Sequence, residues 1–114
     1  MDMDAAASAL SALALASRLE IFRLLVRAGQ EGMAAGDIAR AIDARPNTLS
    51  ANLNVLSGAG LVRSRRHGRS IIYRADYERM QGLLAFLMED CCAGDASICA
   101  PLAEIVSRAA CCVA

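Results

Sequence analysis

Cysteine carries most of the chemistry this sequence can do, and its five copies cluster toward one end of the chain. Within the stretch MEDCCAGDASICA, Cys91 and Cys92 are adjacent and Cys99 follows a short gap, while Cys111 and Cys112 form a second adjacent pair. Neighbours on an ideal helix point about 100° apart, so Cys91 and Cys92 converge best where a helix ends, and Gly94 permits that end. The segment AGDASI can then fold Cys99 back toward the pair. Three soft thiolates suit a thiophilic ion that takes three sulfur ligands, such as arsenite or antimonite, whereas structural zinc generally needs a fourth ligand, here from Cys111 or Cys112. Oxidation of the vicinal pair is a third chemistry. Against these stands a plain packing role, because free cysteine behaves as a small buried hydrophobe and Cys91 continues the apolar stripe of Leu84, Leu87 and Met88.

Enzymatic thiol chemistry fits poorly. A reactive cysteine needs positive charge close by, yet Glu89, Asp90 and Asp95 surround the pair with negative charge. His67 is the only histidine and suits a turn beside Gly68; neither a Cys/His catalytic pair nor a histidine-containing zinc site can be built without drawing on it. An odd number of thiols and no export signal point to the reducing cytosol, where cysteines more often bind metals or do redox chemistry than form structural disulfides. The Ala-rich start, AAASALSALALA, follows MDMD, which supplies negative charge where a secretory signal would be positive, so it is expected as an N-terminal helix. No apolar run reaches roughly 18 residues, and a soluble, cytoplasmic protein with no membrane span is expected. With 114 residues and 56% apolar composition, the chain has room for one core.

The elements that must position these groups follow from periodicity. Leu10 to Leu15 and then SRLEIFRLLVRAG predict two helices, the second with Leu19, Phe22 and Val26 on one side, Leu24 and Leu25 widening it, and Gly29 as its stop. GDIARAIDA predicts a short helix, with Asp37 available as its cap and Ile38 and Ile42 inward. In RPNTLSANLNVLSGAGLV, Pro46 suits a first helical turn, Leu49, Leu53 and Leu56 form the buried stripe, and Gly58 and Gly60 end the helix. LVRSRRHGRSIIYR predicts two strands around a His-Gly turn, Val62 and Ser64 alternating on one and Ile71 and Tyr73 on the other. Met80, Leu83, Leu84, Leu87 and Met88 then predict an amphipathic helix that runs into the cysteines.

A short helix, a turn, a second helix with a polar outer face and a basic hairpin have the order of a winged helix-turn-helix. The formal net charge is zero, yet six of the 12 basic residues lie between Ala44 and Ala75, a stretch with no Asp or Glu. Such a local excess is the electrostatic footprint of a DNA-binding surface. In this docking mode, residues near the start of the second helix meet base edges while flanking basic elements grip phosphate or the minor groove. The candidates are Arg45, Asn47, Thr48, Ser50 and Asn54 on the helix and Arg66 and Arg69 on either side of the hairpin turn. A solvated helix face and a soluble hairpin are the plain alternative.

From about Leu15 to Glu89 the chain resembles the ArsR family of small dimeric winged-helix repressors. The resemblance rests on RLEIFRLL, on S-x-x-L-x-x-L-x-x-A-G-L-V from Ser50 to Val62, and on R-x-G-R-x-x-x-Y from Arg66 to Tyr73. It implies a mainly α fold with a small β-hairpin, a homodimer built from the first and last helices, binding to double-stranded operator DNA, no enzymatic activity, and release when an inorganic ion binds. The chain departs from the family at Asn52, where histidine is common, a change that bears on operator preference. It also lacks cysteines in MAAGDIARA, where many arsenic sensors carry them, and the His/Asp set of the zinc sensors. What it has resembles a minority pattern in which Cys91, Cys92 and Cys99 hold arsenic(III), with antimony(III) or methylarsenite as related inducers and Cys111 and Cys112 as candidate auxiliary thiols. The expectation is an arsenic(III)-released repressor with no organic cofactor, residues 1–90 binding DNA and dimerising and residues 91–114 holding the metalloid. A redox or zinc/cadmium sensor of the same fold is the alternative.

Overall fold

The structure, a computed structural model, describes residues 1–89 together with Ser97, Pro101, Glu104 and Ile105. The chain divides into two compact units, Met1–Leu84 and Ala85–Ala114. The element order is α1 (Met3–Leu13), α2 (Ala16–Ala28), β1 (Met33–Ala34), α3 (Ala35–Ile42), α4 (Pro46–Gly58), β2 (Val62–His67), β3 (Ser70–Ala75) and α5 (Tyr77–Met88). Among the described residues, no helix is long and apolar enough to cross a membrane.

The acidic start of the chain has a local role. The Asp2 carboxylate accepts from the Ala5 amide at 2.7 Å and Asp4 lies in the first turn, so both complement the positive end of α1. Ala6, Ala9 and Ala12 form the buried edge of this helix. At its other end Arg18 donates to the carbonyl of Ala12 at 2.6 Å, covering an acceptor that the helix leaves unpaired. In α2 the buried side is Ile21, Phe22 and Leu25, with Val26 half-buried and Leu19 43% exposed. The expected inward position of Leu19 is therefore corrected. Ile21, one residue before Phe22, takes the place next to the core, and the apolar face is rotated accordingly.

Helix α3 buries Ile38 and half-buries Ile42. Asp37 does not cap it: the cap position is Ala34, which makes no side-chain bond, and Asp37 instead pairs with Arg40 one turn on. The helix stops at Asp43, whose left-handed backbone (φ 52°) returns its amide to the Ala39 carbonyl. After a short turn α4 begins at Pro46, as the sequence predicts, and buries Leu49, Leu53 and Leu56 to 3% exposure or less.

Helix α4 ends in a Schellman motif. The Leu61 amide donates to the Leu56 carbonyl and the Gly60 amide to that of Ser57, both at 3.0 Å, while the Leu61 and Leu56 side chains are fully buried. Gly60 is required there: its φ is +79° and a Cβ would lie 2.7 Å from Nε of Arg79. This is the physical content of the A-G-L-V run.

The sheet has three antiparallel strands in the order β1-β3-β2, so the expected hairpin gains a third strand through Met33↔Tyr73 and Ala34↔Ile72. The turn also differs by one residue. His67 is the last residue of β2 and pairs with Ser70, leaving Gly68-Arg69 as the two-residue loop. Gly68 has φ 63° at its first position, which suits a type II′ turn and the twist of the strands.

Helix α5 buries Leu83 alone, while Leu84 and Leu87 are 49% and 50% exposed. The stripe predicted from its spacing is helical, but two of its five residues, Leu84 and Leu87, are exposed and Met80 and Met88 are only half-buried. In the second unit, the Glu89 amide donates to the Phe86 carbonyl at 3.4 Å, and Ser97, Pro101, Glu104 and Ile105 are helical and exposed.

Candidate nucleic-acid interface

Two elements present polar or basic side chains that the core does not use. On α4 the burial of Leu49, Leu53 and Leu56 fixes the rotation of the helix, which leaves Asn47, Thr48, Ser50 and Asn54 exposed. Arg45 is exposed at the cap position, where its extended backbone lets the Leu49 amide reach its carbonyl at 2.9 Å. From Pro46 to Gly58 the helix carries no charged residue.

The hairpin is the opposite. Val62 pairs with Ala75 at its base and both are buried, whereas Arg65, Arg66 and Arg69 toward its far end are exposed. Side chains alternate across a strand, so Arg66 shares a face with its cross-strand partner Ile71, and Arg65 lies on the other face with Ile72. Arg65 is a basic residue that the sequence reading did not single out; its position between Arg63 and His67 on one strand face was the available signal.

The base of the hairpin is tied to both neighbouring helices through Asp76. Its amide donates to the Leu61 carbonyl at 2.8 Å. One carboxylate oxygen accepts from the Arg79 amide at 3.0 Å, capping α5, and the other accepts from Arg63 Nε of β2 at 2.7 Å. Arg79 Nε in turn donates to the Ala59 carbonyl at the end of α4, at 3.3 Å. Burial alone would push the Asp76 carboxyl up, but the bonds from Arg63 and the Arg79 amide, with the charges of Arg63 and Arg74, hold it below the ordinary carboxylate range. An open cleft of about 550 Å³ lies beside this junction, walled by Arg63, Asp76, Glu78 and Arg79. Asp76 was not among the sequence-derived candidates, although an Asp just before a helical run is a capping signal.

A helix-turn-helix domain model matches residues 13–65, from the end of α1 into β2. Among solved structures, the homodimeric winged helix-turn-helix DNA-binding domain of a possible ArsR-family transcriptional regulator from Mycobacterium bovis is 35% identical, with 77% of this chain and 82% of that one covered and a TM-score of 0.61. The chain belongs to the ArsR family. An ArsR-like transcriptional regulator from Rhodococcus sp. RHA1 is similar over 90% of this chain and 92% of that one, at 28% identity and a TM-score of 0.68. A possible transcriptional regulator for arsenical resistance is 29% identical over 70% of this chain and 80% of its own, with a TM-score of 0.62. A search of curated protein sequences gave no match.

Family and fold are those of DNA-binding transcriptional regulators rather than enzymes. Within this ArsR-family chain, the departure at Asn52 acquires a different meaning from the one expected. Asn52 is 7% exposed and donates to the Ser17 hydroxyl of α2 at 3.2 Å, so it ties α4 to the core and does not sit on the outer face. Its spacing, three residues after Leu49 and four before Leu56, already assigned it to the inner side. Cys91, Cys92, Cys99, Cys111 and Cys112 lie outside the described residues. Among the described residues no group of three or more potential ligands is placed to hold a metal ion.

Proposed function

We propose that this ArsR-family chain is a cytoplasmic, arsenic(III)-responsive repressor that binds operator DNA as a homodimer and is released when trivalent arsenic joins Cys91, Cys92 and Cys99. Residues 1–90 are the DNA-binding and dimerisation domain in this reading, and residues 91–114 the metalloid-binding segment. The observation that carries the DNA-binding part is the pairing of an uncharged, exposed edge on α4 with exposed arginines on the hairpin. Arg45, Asn47, Thr48, Ser50 and Asn54 are assigned to the helix contact and Arg66 and Arg69 to phosphate or the minor groove.

The dimer is supported by apolar side chains that α1 and α5 leave outward: Met3, Leu10, Leu84 and Leu87 are between 43% and 70% exposed. The similar Mycobacterium bovis domain is homodimeric. The inducer is supported by the donor chemistry of three soft thiolates and by the likeness to a possible transcriptional regulator for arsenical resistance. Antimony(III) or methylarsenite would bind by the same chemistry.

Release requires a difference in free energy between two states. Moving a population from 99:1 to 1:99 needs roughly 5.5 kcal/mol of differential binding. Three thiolates closing on one ion can supply it, provided the DNA-bound state holds them apart. Cys91 and Cys92 follow α5 in sequence, so drawing the three thiolates together acts on a helix assigned here to the dimer.

The test is arsenite titration of an operator-bound fluorescence signal in anaerobic reducing buffer. Cys91→Ser, Cys92→Ser and Cys99→Ser each keep DNA binding and lose the response, while the Cys111→Ser/Cys112→Ser double variant keeps both. Loss of response in the double variant moves the site toward a four-thiolate zinc or cadmium sensor. Release by peroxide but not by arsenite makes the protein a redox sensor.

A further inference from the structure

The geometry of α4 points to adenine and thymine as the bases this chain reads: we propose that the operator half-site under the helix consists of A·T pairs, recognised by Asn47 and Asn54 with Thr48, Ala51 and Val55. The proposal rests on the operator-binding reading above and specifies its substrate. Side chains on base edges follow a small code. Arginine and lysine pair with guanine O6 and N7, asparagine and glutamine pair with adenine N6 and N7, and apolar groups meet the thymine methyl. The sequence PNTLSANLNVLSG offers no arginine or lysine. Between Pro46 and Gly58 the bidentate guanine contact is therefore missing; the nearest basic side chain, Arg45, lies at the cap position ahead of the helix, so the A·T pairs proposed are those under Asn47 to Val55.

Asn47, Ala51 and Asn54 recur at i, i+4 and i+7 and lie on one line opposite the leucine stripe, while Thr48 and Val55, seven apart, flank it. All five are exposed, Val55 at 43%. From Asn47 to Asn54 the rise is about 10 Å, close to the major-groove width of about 12 Å. The three asparagines of α4 differ in their partners. The Asn52 amide is engaged with Ser17, whereas the Asn47 and Asn54 side chains have no hydrogen-bond partner among the described residues. Two amides with the donor and acceptor that adenine requires are thus left facing outward. The hairpin gives independent support. A·T-rich tracts have a narrow minor groove whose concentrated negative potential attracts arginine, and Arg66 and Arg69 are exposed in a segment that holds no acid.

The experiment selects duplexes from a random-sequence pool with the full chain, then edits the recovered half-site atom by atom. Enrichment of A·T pairs is expected at the positions that α4 protects. Replacing adenine there by 7-deazaadenine, which removes N7, weakens binding by on the order of tenfold. Replacing thymine by deoxyuridine, which removes only the methyl, weakens it by roughly fourfold per contact. In Asn47→Ala or Asn54→Ala, one of the 7-deazaadenine effects disappears, and Asn54→Arg moves the preference at its position toward guanine. A defined operator with G·C pairs under the helix, or one indifferent to both base analogues, overturns the proposal while leaving operator binding intact. A pool with no enriched sequence overturns the operator-binding reading itself, and the proposal with it.

Discussion

Helix α4 and the hairpin lie next to each other in sequence and are built on opposite principles. Helix α4 has no charge between Pro46 and Gly58 and is held by three leucines at 3% exposure or less. The hairpin carries five arginines between Val62 and Ala75 and is buried only at its base, where Val62 and Ala75 are 3% and 0% exposed. A neutral edge on a core-anchored helix suits the reading of bases, which depends on fixed positions; charge on a projecting strand pair suits attraction to phosphate, which tolerates movement. Fold stability should therefore respond to the inner face of the helix, and ionic-strength dependence to the outer part of the hairpin.

The largest effect expected from this contrast is on stability. Leu53→Ala removes a side chain at 1% exposure and should cost about 2–5 kcal/mol in chemical denaturation. Ile71→Ala, at a site 39% exposed, should cost less than about 1 kcal/mol. Equal costs would mean that the hairpin is packed as firmly as the helix, and the contrast would fail.

The same contrast governs what the sequence revealed. The leucine stripe and the stop of α4 were legible because both are local: a helical period and a Gly at a left-handed position. The direction of the α5 stripe was not, since periodicity shows that residues share a face and leaves open what covers it. β1 escaped because two residues carry no alternation; pairing with β3, some 40 residues away, makes it a strand. Asn52 was noted for its kind, as a departure bearing on operator preference, while its angular place beside Leu49 and Leu56 is what puts it on the inner face. Of the candidate site, the polar edge and the arginines were readable as composition, while the tie from Asp76 to Arg63 joins residues 13 apart and exists only once β2 and β3 have paired.

A smaller effect is expected where the two regions meet. Asp76→Ala removes the cap of α5 and the partner of Arg63, and near pH 7 the loss of the cap alone should cost about 1 kcal/mol. The native carboxyl is held below its usual range, so its contribution is fully present above the unfolded pKa, about 3.9, and is lost as the pH falls through the native value. Denaturation curves of the two proteins should differ by a constant amount from pH 7 down to about 5 and draw together below about 4. A gap that persists undiminished into acid would show that Asp76 acts through shape and not through charge.

The smallest stability effects, and the sharpest functional separation, belong to the outer surfaces. Arg66→Ala, Arg69→Ala and Ser50→Ala alter exposed side chains and should each change stability by less than about 0.5 kcal/mol. Their effects on DNA should nevertheless differ in kind. Each arginine that meets a phosphate contributes about 0.9 to the slope of log affinity against log salt, so its loss should flatten that slope and weaken operator and random duplexes alike. Ser50 carries no charge; its loss should leave the slope unchanged and narrow the ratio of operator to random binding. Titrations at several salt concentrations on both duplexes measure the two quantities together. If Arg66→Ala narrowed the ratio and left the slope alone, the hairpin would be reading bases, and the division between a reading helix and a gripping hairpin would have to be redrawn.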